Sequence, residues 1–121
     1  MSEAEKPLFW MGSSKLDLMT FPRSTVSEIG HALGLAQQGL KYAKSKPWKG
    51  EGPGVFEVVA SFDGNAYRAV YTVRFERAVY ALHAFQKKSP SGIRTDARDV
   101  ALVSSRLRAA REHYLKEFSD G

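Results

Sequence analysis

Glu57, Arg68, His83 and Lys87 are the residues whose types and spacing put chemistry within reach. They stand in or just beyond three segments of alternating residues, 55–62, 66–75 and 79–86, a pattern that predicts strands. If both connecting loops hold an even number of residues, directly opposed residues have an odd index sum and share a face. Glu57 is then opposite Val70, Val70 opposite His83, and Arg68 opposite Phe85, so a carboxylate, an imidazole and two cations meet on one partly open sheet face. An imidazole can take or give a proton near neutrality, a carboxylate can act as base or orient it, and converging cations stabilise negative charge as it develops. Each residue also has a plainer use. Arg68 can pair with Glu57 or Asp63, His83 can be a packed strand histidine, and Glu57 can belong to a strand-surface ion pair.

Other chemistries are excluded by what the chain lacks. It has no cysteine, which removes a disulfide scaffold, a thiol nucleophile and a zinc finger, and which suits a reducing cytosol. There is no phosphate-binding glycine loop, no dinucleotide fingerprint and no zinc-binding His-Glu motif. His31 and His113 lie on helical segments without a spaced partner and receive no role. No apolar run approaches a membrane span, and the start MSEAEK does not resemble a leader.

The 121 residues suit one domain, 1–121, with an ordered core over about 8–117. Eighteen basic residues against thirteen acidic ones give a net charge of +5 and a pI near 9.6. The excess sits in residues 86–116, where eight cations face three acids. That clustering suits a polyanion or an acidic partner as readily as a solvated helix face.

The elements that must position these side chains follow from periodicity. Leu8–Met11 reads as an edge strand, and Ser13 and Ser14 offer caps for a short helix that Pro22 interrupts. Thr25-Val26-Ser27-Glu28 has the form of a capping box, leading a second helix to about Gly39. Residues 42–54, rich in glycine, proline and lysine, read as a loop. Asp63-Gly64-Asn65 and Glu76-Arg77 supply the hairpin turns. A long helix over about 95–117 carries Val100, Val103, Leu107, Ala110 and Tyr114 as a narrow apolar stripe. The order β-α-α-β-β-β-α makes an α+β domain with a small antiparallel sheet, two N-terminal helices and a long C-terminal helix. The parity argument assigns Phe56, Val58, Ala60, Tyr67, Ala69, Tyr71, Val73, Phe75, Tyr80, Leu82 and Ala84 to the core face, under the N-terminal helices. Val55, Val59, Thr72, Arg74, Val79, Ala81 and Phe85 fall on the other face, with the charged cluster.

The segment Tyr67-Arg68-Ala69-Val70-Tyr71-Thr72-Val73, followed by Val79 to Ser89 (VYALHAFQKKS), resembles the sheet of RelE/HigB-type toxins of bacterial toxin–antitoxin modules. Phe21-Pro22, Glu28-Ile29-Gly30 and Leu35 to Gly39 are similar to the phage-related HigB-like branch, and the likeness runs over about residues 8–115. It implies a RelE-like microbial RNase-type fold. It also implies an endoribonuclease that cuts mRNA on the translating ribosome, without metal or any other cofactor, in the bacterial cytoplasm. The implied partner is a co-encoded antitoxin, often a helix-turn-helix protein, with no membrane or small-molecule partner. Arg68 matches the family's recurrent strand arginine, a phosphate clamp, and Lys87 or Lys88 the basic position closing the last strand. Lys46 and Lys49 match functional loop cations, and Trp48 between them either stacks on a base or plugs the core edge. Arg94 is a further candidate RNA contact. Two other readings share this fold: a ParE-like inhibitor of DNA gyrase, and a non-catalytic relative that binds nucleic acid or its antitoxin.

Overall fold

The computed structural model describes residues 5–87 and 96–119. The elements are β1 (Leu8–Trp10), α1 (Ser14–Leu18), α2 (Arg23–Gln37), β2 (Lys46–Pro47), β3 (Val55–Phe62), β4 (Asn65–Thr72), β5 (Val79–Lys87) and α3 (Ala97–Glu117). They form one five-stranded sheet in the order β1-β5-β4-β3-β2, with β1 parallel to β5 and every other pair antiparallel. The α+β architecture is the expected one, with one strand added. β2, inside the segment read as a loop, pairs Lys46 with Glu57 and Pro47 with Phe56.

Local chemistry accounts for most boundaries. Asp63 and Gly64 both take positive φ, +52° and +80°, the conformation a two-residue hairpin turn demands. β3 and β4 therefore join tightly, with Phe62 opposite Asn65. The Asp96 side chain accepts the Arg98 amide at 2.9 Å and caps α3. The capping box expected at Thr25 does not form. α2 starts earlier, after Pro22, whose fixed φ suits helix entry. The Thr25 hydroxyl then donates to the Pro22 carbonyl, and Glu28 takes the Tyr42 hydroxyl instead.

The sheet is covered on both faces. On one, Ile29, Ala32, Leu33 and Ala36 of α2 pack on Val58, Ala60, Ala69, Tyr71 and Ala84. On the other, Val103, Leu107 and Ala110 of α3 pack on Val55, Val70, Tyr80 and Leu82. Val100, read as part of the same stripe, is 41% exposed beyond the sheet's cover.

A β-bulge corrects the expected faces. Val70 pairs with His83, but the next pair is Tyr71 with Ala81, leaving Leu82 as an extra residue on β5. From there on the parity inverts, and Thr72 faces Tyr80. Tyr80 and Leu82 therefore belong to the α3 side, and Val79 to the α2 side, the reverse of the expectation. The ladder starts at Thr72 and Tyr80, which leaves an odd number of residues between them, seven, instead of the two of a tight turn at Glu76-Arg77. Phe75 thus leaves the sheet and packs beside Tyr80 and Tyr114, and Arg74 stands in the connection, not on the strand. Beyond the bulge, Arg68 opposite Phe85 and Glu57 opposite Val70 keep the expected register.

Candidate functional site

The site grows from four strands and one helix. β3 supplies Glu57 and β4 supplies Arg68, which are diagonal neighbours because Glu57 pairs with Val70 and Val59 with Arg68. Their side chains form an ion pair, Arg68 Nη1 to Glu57 Oε1, at 2.8 Å, with each side chain 17% exposed. Three donors remain on the Arg68 terminal nitrogens, and its Nε is buried without a hydrogen-bond partner. Leaving a buried donor unpaired costs about 1–3 kcal/mol. β2 places the Cα of Lys46 opposite that of Glu57, and both Lys46 and Lys49 are exposed.

His83 lies deeper, 6% exposed, and is held on three sides. Its Nε2 is 2.7 Å from Asp99 Oδ1, its Nδ1 is 3.2 Å from Arg106 Nη1, and its ring stacks on Phe85 with centroids 4.7 Å apart. A guanidinium only donates, so Nδ1 accepts and the ring proton belongs on Nε2, directed at Asp99. Both ring nitrogens are thereby engaged. Arg106 also donates to the Leu82 carbonyl at 3.1 Å and to the Ser13 hydroxyl at 3.3 Å, tying α3, β5 and the α1 N-terminus together.

The structure thus brings Glu57, Arg68 and His83 to one sheet face, where α3 lies over β5 and buries His83 while Glu57 and Arg68 stay half-buried. Of the two uses of His83, the geometry is that of the packed and hydrogen-bonded histidine. Trp48 is 5% exposed, in the α3-side core with its ring nearly perpendicular to that of Phe85, and its indole nitrogen has no partner. Of its two readings this is the plug, and a base has no exposed indole face to stack on. Lys87 ends β5 opposite Ala66, whereas Lys88 and Arg94 lie outside the described residues.

Asp99 and Arg106 were not singled out from the sequence. Their seven-residue spacing, two helical turns, places them on one side of α3, flanking the buried Val103. Charged residues bordering an apolar stripe were the available signal. Among the described residues, no group of three or more His, Asp or Glu is placed to hold a metal ion. Nor is any helix among them long and apolar enough to cross a membrane.

In chemical terms, the face offers a half-sequestered guanidinium with donors to spare, a carboxylate with one oxygen outside the ion pair, and exposed lysines at the margin. That set has the donors an oxyanion needs and a carboxylate oxygen able to accept a proton beside them. A family profile described as "Phage derived protein Gp49-like (DUF891)" matches residues 16–108, which include Glu57, Arg68, His83, Asp99 and Arg106. No curated protein gives a match to the chain.

Proposed function

Because the chain belongs to the Gp49-like family of phage-derived proteins, a toxin–antitoxin-associated family related to the RelE-type endoribonuclease toxins, we propose that it is a HigB-like toxin that cleaves mRNA on the translating ribosome. The carrying observation is the Glu57–Arg68 pair with the unpartnered Arg68 Nε at its centre. In this reading Arg68 binds the non-bridging oxygens of the scissile phosphate. The Glu57 oxygen outside the ion pair accepts the proton of the adjacent 2′-hydroxyl, whose oxygen attacks phosphorus. The P–O5′ bond breaks, leaving a 2′,3′-cyclic phosphate on one fragment. The departing 5′-oxygen takes a proton and leaves as a hydroxyl, and the basic position at the end of β5, Lys87 or Lys88, is assigned to that side. Lys46 and Lys49 contact flanking phosphates. His83, with both nitrogens engaged, is a positioning residue that fixes α3 over the sheet.

Arg68→Ala in a cell-free translation reaction, read by primer extension, is expected to abolish the cuts made by the wild type. Undiminished cutting by that variant would remove Arg68 from the mechanism. The proposed partner is a co-encoded antitoxin of helix-turn-helix type, and a short neighbouring reading frame encoding one supports the module. One observation favours the ParE-like alternative: α3 buries His83 and Glu57 neutralises Arg68, leaving less free charge for RNA chemistry. Gyrase-dependent DNA damage with intact transcripts after induction would select that reading.

A further inference from the structure

The Arg68 face accounts for few of the chain's cations. A second concentration lies at the other end of β4, where the 73–78 connection passes α3. A cavity of about 270 Å³ opens there, with Arg74 on one wall and Arg108 and Arg111 on the other. Phe75 and Leu107 form its apolar lining, Ser104 adds a hydroxyl, and Glu51 is its one acid. Among the described residues, none of the three arginines is in an ion pair.

The cleft is built, not merely charged. Arg74 Nε and Nη2 donate to the Pro53 carbonyl at 3.2 and 3.0 Å, and Nη2 also to the Glu51 carbonyl, so the guanidinium is fixed in place with Nη1 left over. The loop beneath is sewn to the connection, Val73 N to Gly54 O at 2.9 Å and Thr72 Oγ1 to Gly54 O at 2.8 Å. Arg108 is steadied by Ser104 at 3.2 Å, one helical turn back. Phe75, stacked on Tyr114 with centroids 5.0 Å apart, is only half-buried and presents an aromatic surface to the cleft.

We infer that this cleft is a second nucleic-acid subsite, which takes the phosphates of an RNA strand several nucleotides from the one bound at Arg68. Planar guanidinium forks match phosphate oxygens in a way lysines do not. Cations alternating with an accessible aromatic surface are what a single strand recognises, backbone on the charges and a base on the ring. Continuity supplies the rest. Between Arg68 and Arg74 the chain covers roughly 20 Å, and Lys46 and Lys49 stand along the β2 side, on the segment that leads into Glu51 and Pro53. The choice of RNA as ligand rests on the RNA-directed reading above, while the cleft itself does not.

The test uses the full chain and fluorescein-labelled RNA carrying 2′-O-methyl groups throughout, so that binding is seen without cutting. A trinucleotide spans one site and a dodecanucleotide spans both. For single strands the slope of log K against log salt is about −0.7 per phosphate contact, so losing two contacts flattens it by about 1.4. The variant Arg108→Ala with Arg111→Ala is expected to show that flattening on the dodecanucleotide and unchanged binding of the trinucleotide. Both arginines are exposed, so their removal leaves the core intact. An unchanged dodecanucleotide slope overturns the inference, even if the protein cuts RNA. Displacement of the dodecanucleotide by polyglutamate at lower concentration than by unlabelled RNA also overturns it, assigning the cleft to an acidic protein. Conversely, a flattened slope in a protein that never cuts RNA upholds the subsite and defeats the cleavage reading alone.

Discussion

Glu57 and Arg68 answer to each other before they answer to any ligand, and that sets what each substitution should do. Glu57→Gln keeps an amide oxygen that can accept from Arg68 Nη1, so the fold should change little. It removes the proton acceptor, and a general base contributes about 10²–10⁴-fold. Cleavage by Glu57→Gln should fall within that range while the urea midpoint stays near that of the wild type. A variant that cuts at the wild-type rate would dismiss Glu57 as base. At His83 the logic runs the other way, because its partners are structural. Asp99→Asn retains an acceptor for the Nε2 proton, whereas Asp99→Ala leaves a buried N–H unpaired, at about 1–3 kcal/mol. Chemical denaturation should therefore separate the two Asp99 variants by that amount; equal midpoints would mean the His83–Asp99 bond holds nothing.

The elements explain why part of this was legible in the sequence and part was not. The β3–β4 register followed from Asp63-Gly64, since a two-residue turn leaves no freedom in the pairing. The β4–β5 register was legible only as far as Val70 and His83, because a bulge at Leu82 has no mark of its own among alternating apolar residues. Because the ladder starts at Thr72 and Tyr80, with seven residues between them, only a bulge could keep His83 on the Arg68 face. The covering helix was half-written in the sequence. Val55, Val59, Val70 and Phe85 are too apolar for an open face, and the Val103–Leu107–Ala110 stripe needed a surface of this kind. The seam between α3 and the sheet can be tested at Gly12, whose φ is +55°. A Cβ there would lie 2.5 Å from Arg106 Nε, so Gly12→Ala forces the guanidinium away from Leu82 and His83. A residue in this left-handed conformation also adds about 1–2 kcal/mol of backbone strain. Destabilisation by Gly12→Ala should shrink when Arg106→Ala is already present, and simple additivity of the two would break the link.

Across the whole molecule the sheet is a wall between two cores, and each core holds a tyrosine whose hydroxyl ionises late. Tyr80, on the α3 side, is fully buried and bonded to His113 Nδ1 at 2.6 Å; burial first, then the nearby Glu117 and Tyr114, push it up to about 12. Tyr71, on the α2 side, is also raised by burial, against an opposing contribution from its hydrogen bond with Ser45. Outside both, Tyr42 is raised chiefly by its hydrogen bond to Glu28, with burial and the Glu28 charge acting the same way. In the unfolded chain these groups release their protons near the ordinary value of 10.0. Above it the unfolded state therefore binds fewer protons than the native one, and stability falls as pH rises. This contribution is fully present below pH 10 and is lost on the way to about 12 for Tyr80. Urea midpoints should consequently drop steeply above pH 10 with all three tyrosines present. Tyr80→Phe, although weaker at neutral pH for want of the His113 bond, should show a shallower alkaline decline. An equally steep decline in Tyr80→Phe would place the alkaline sensitivity elsewhere in the fold.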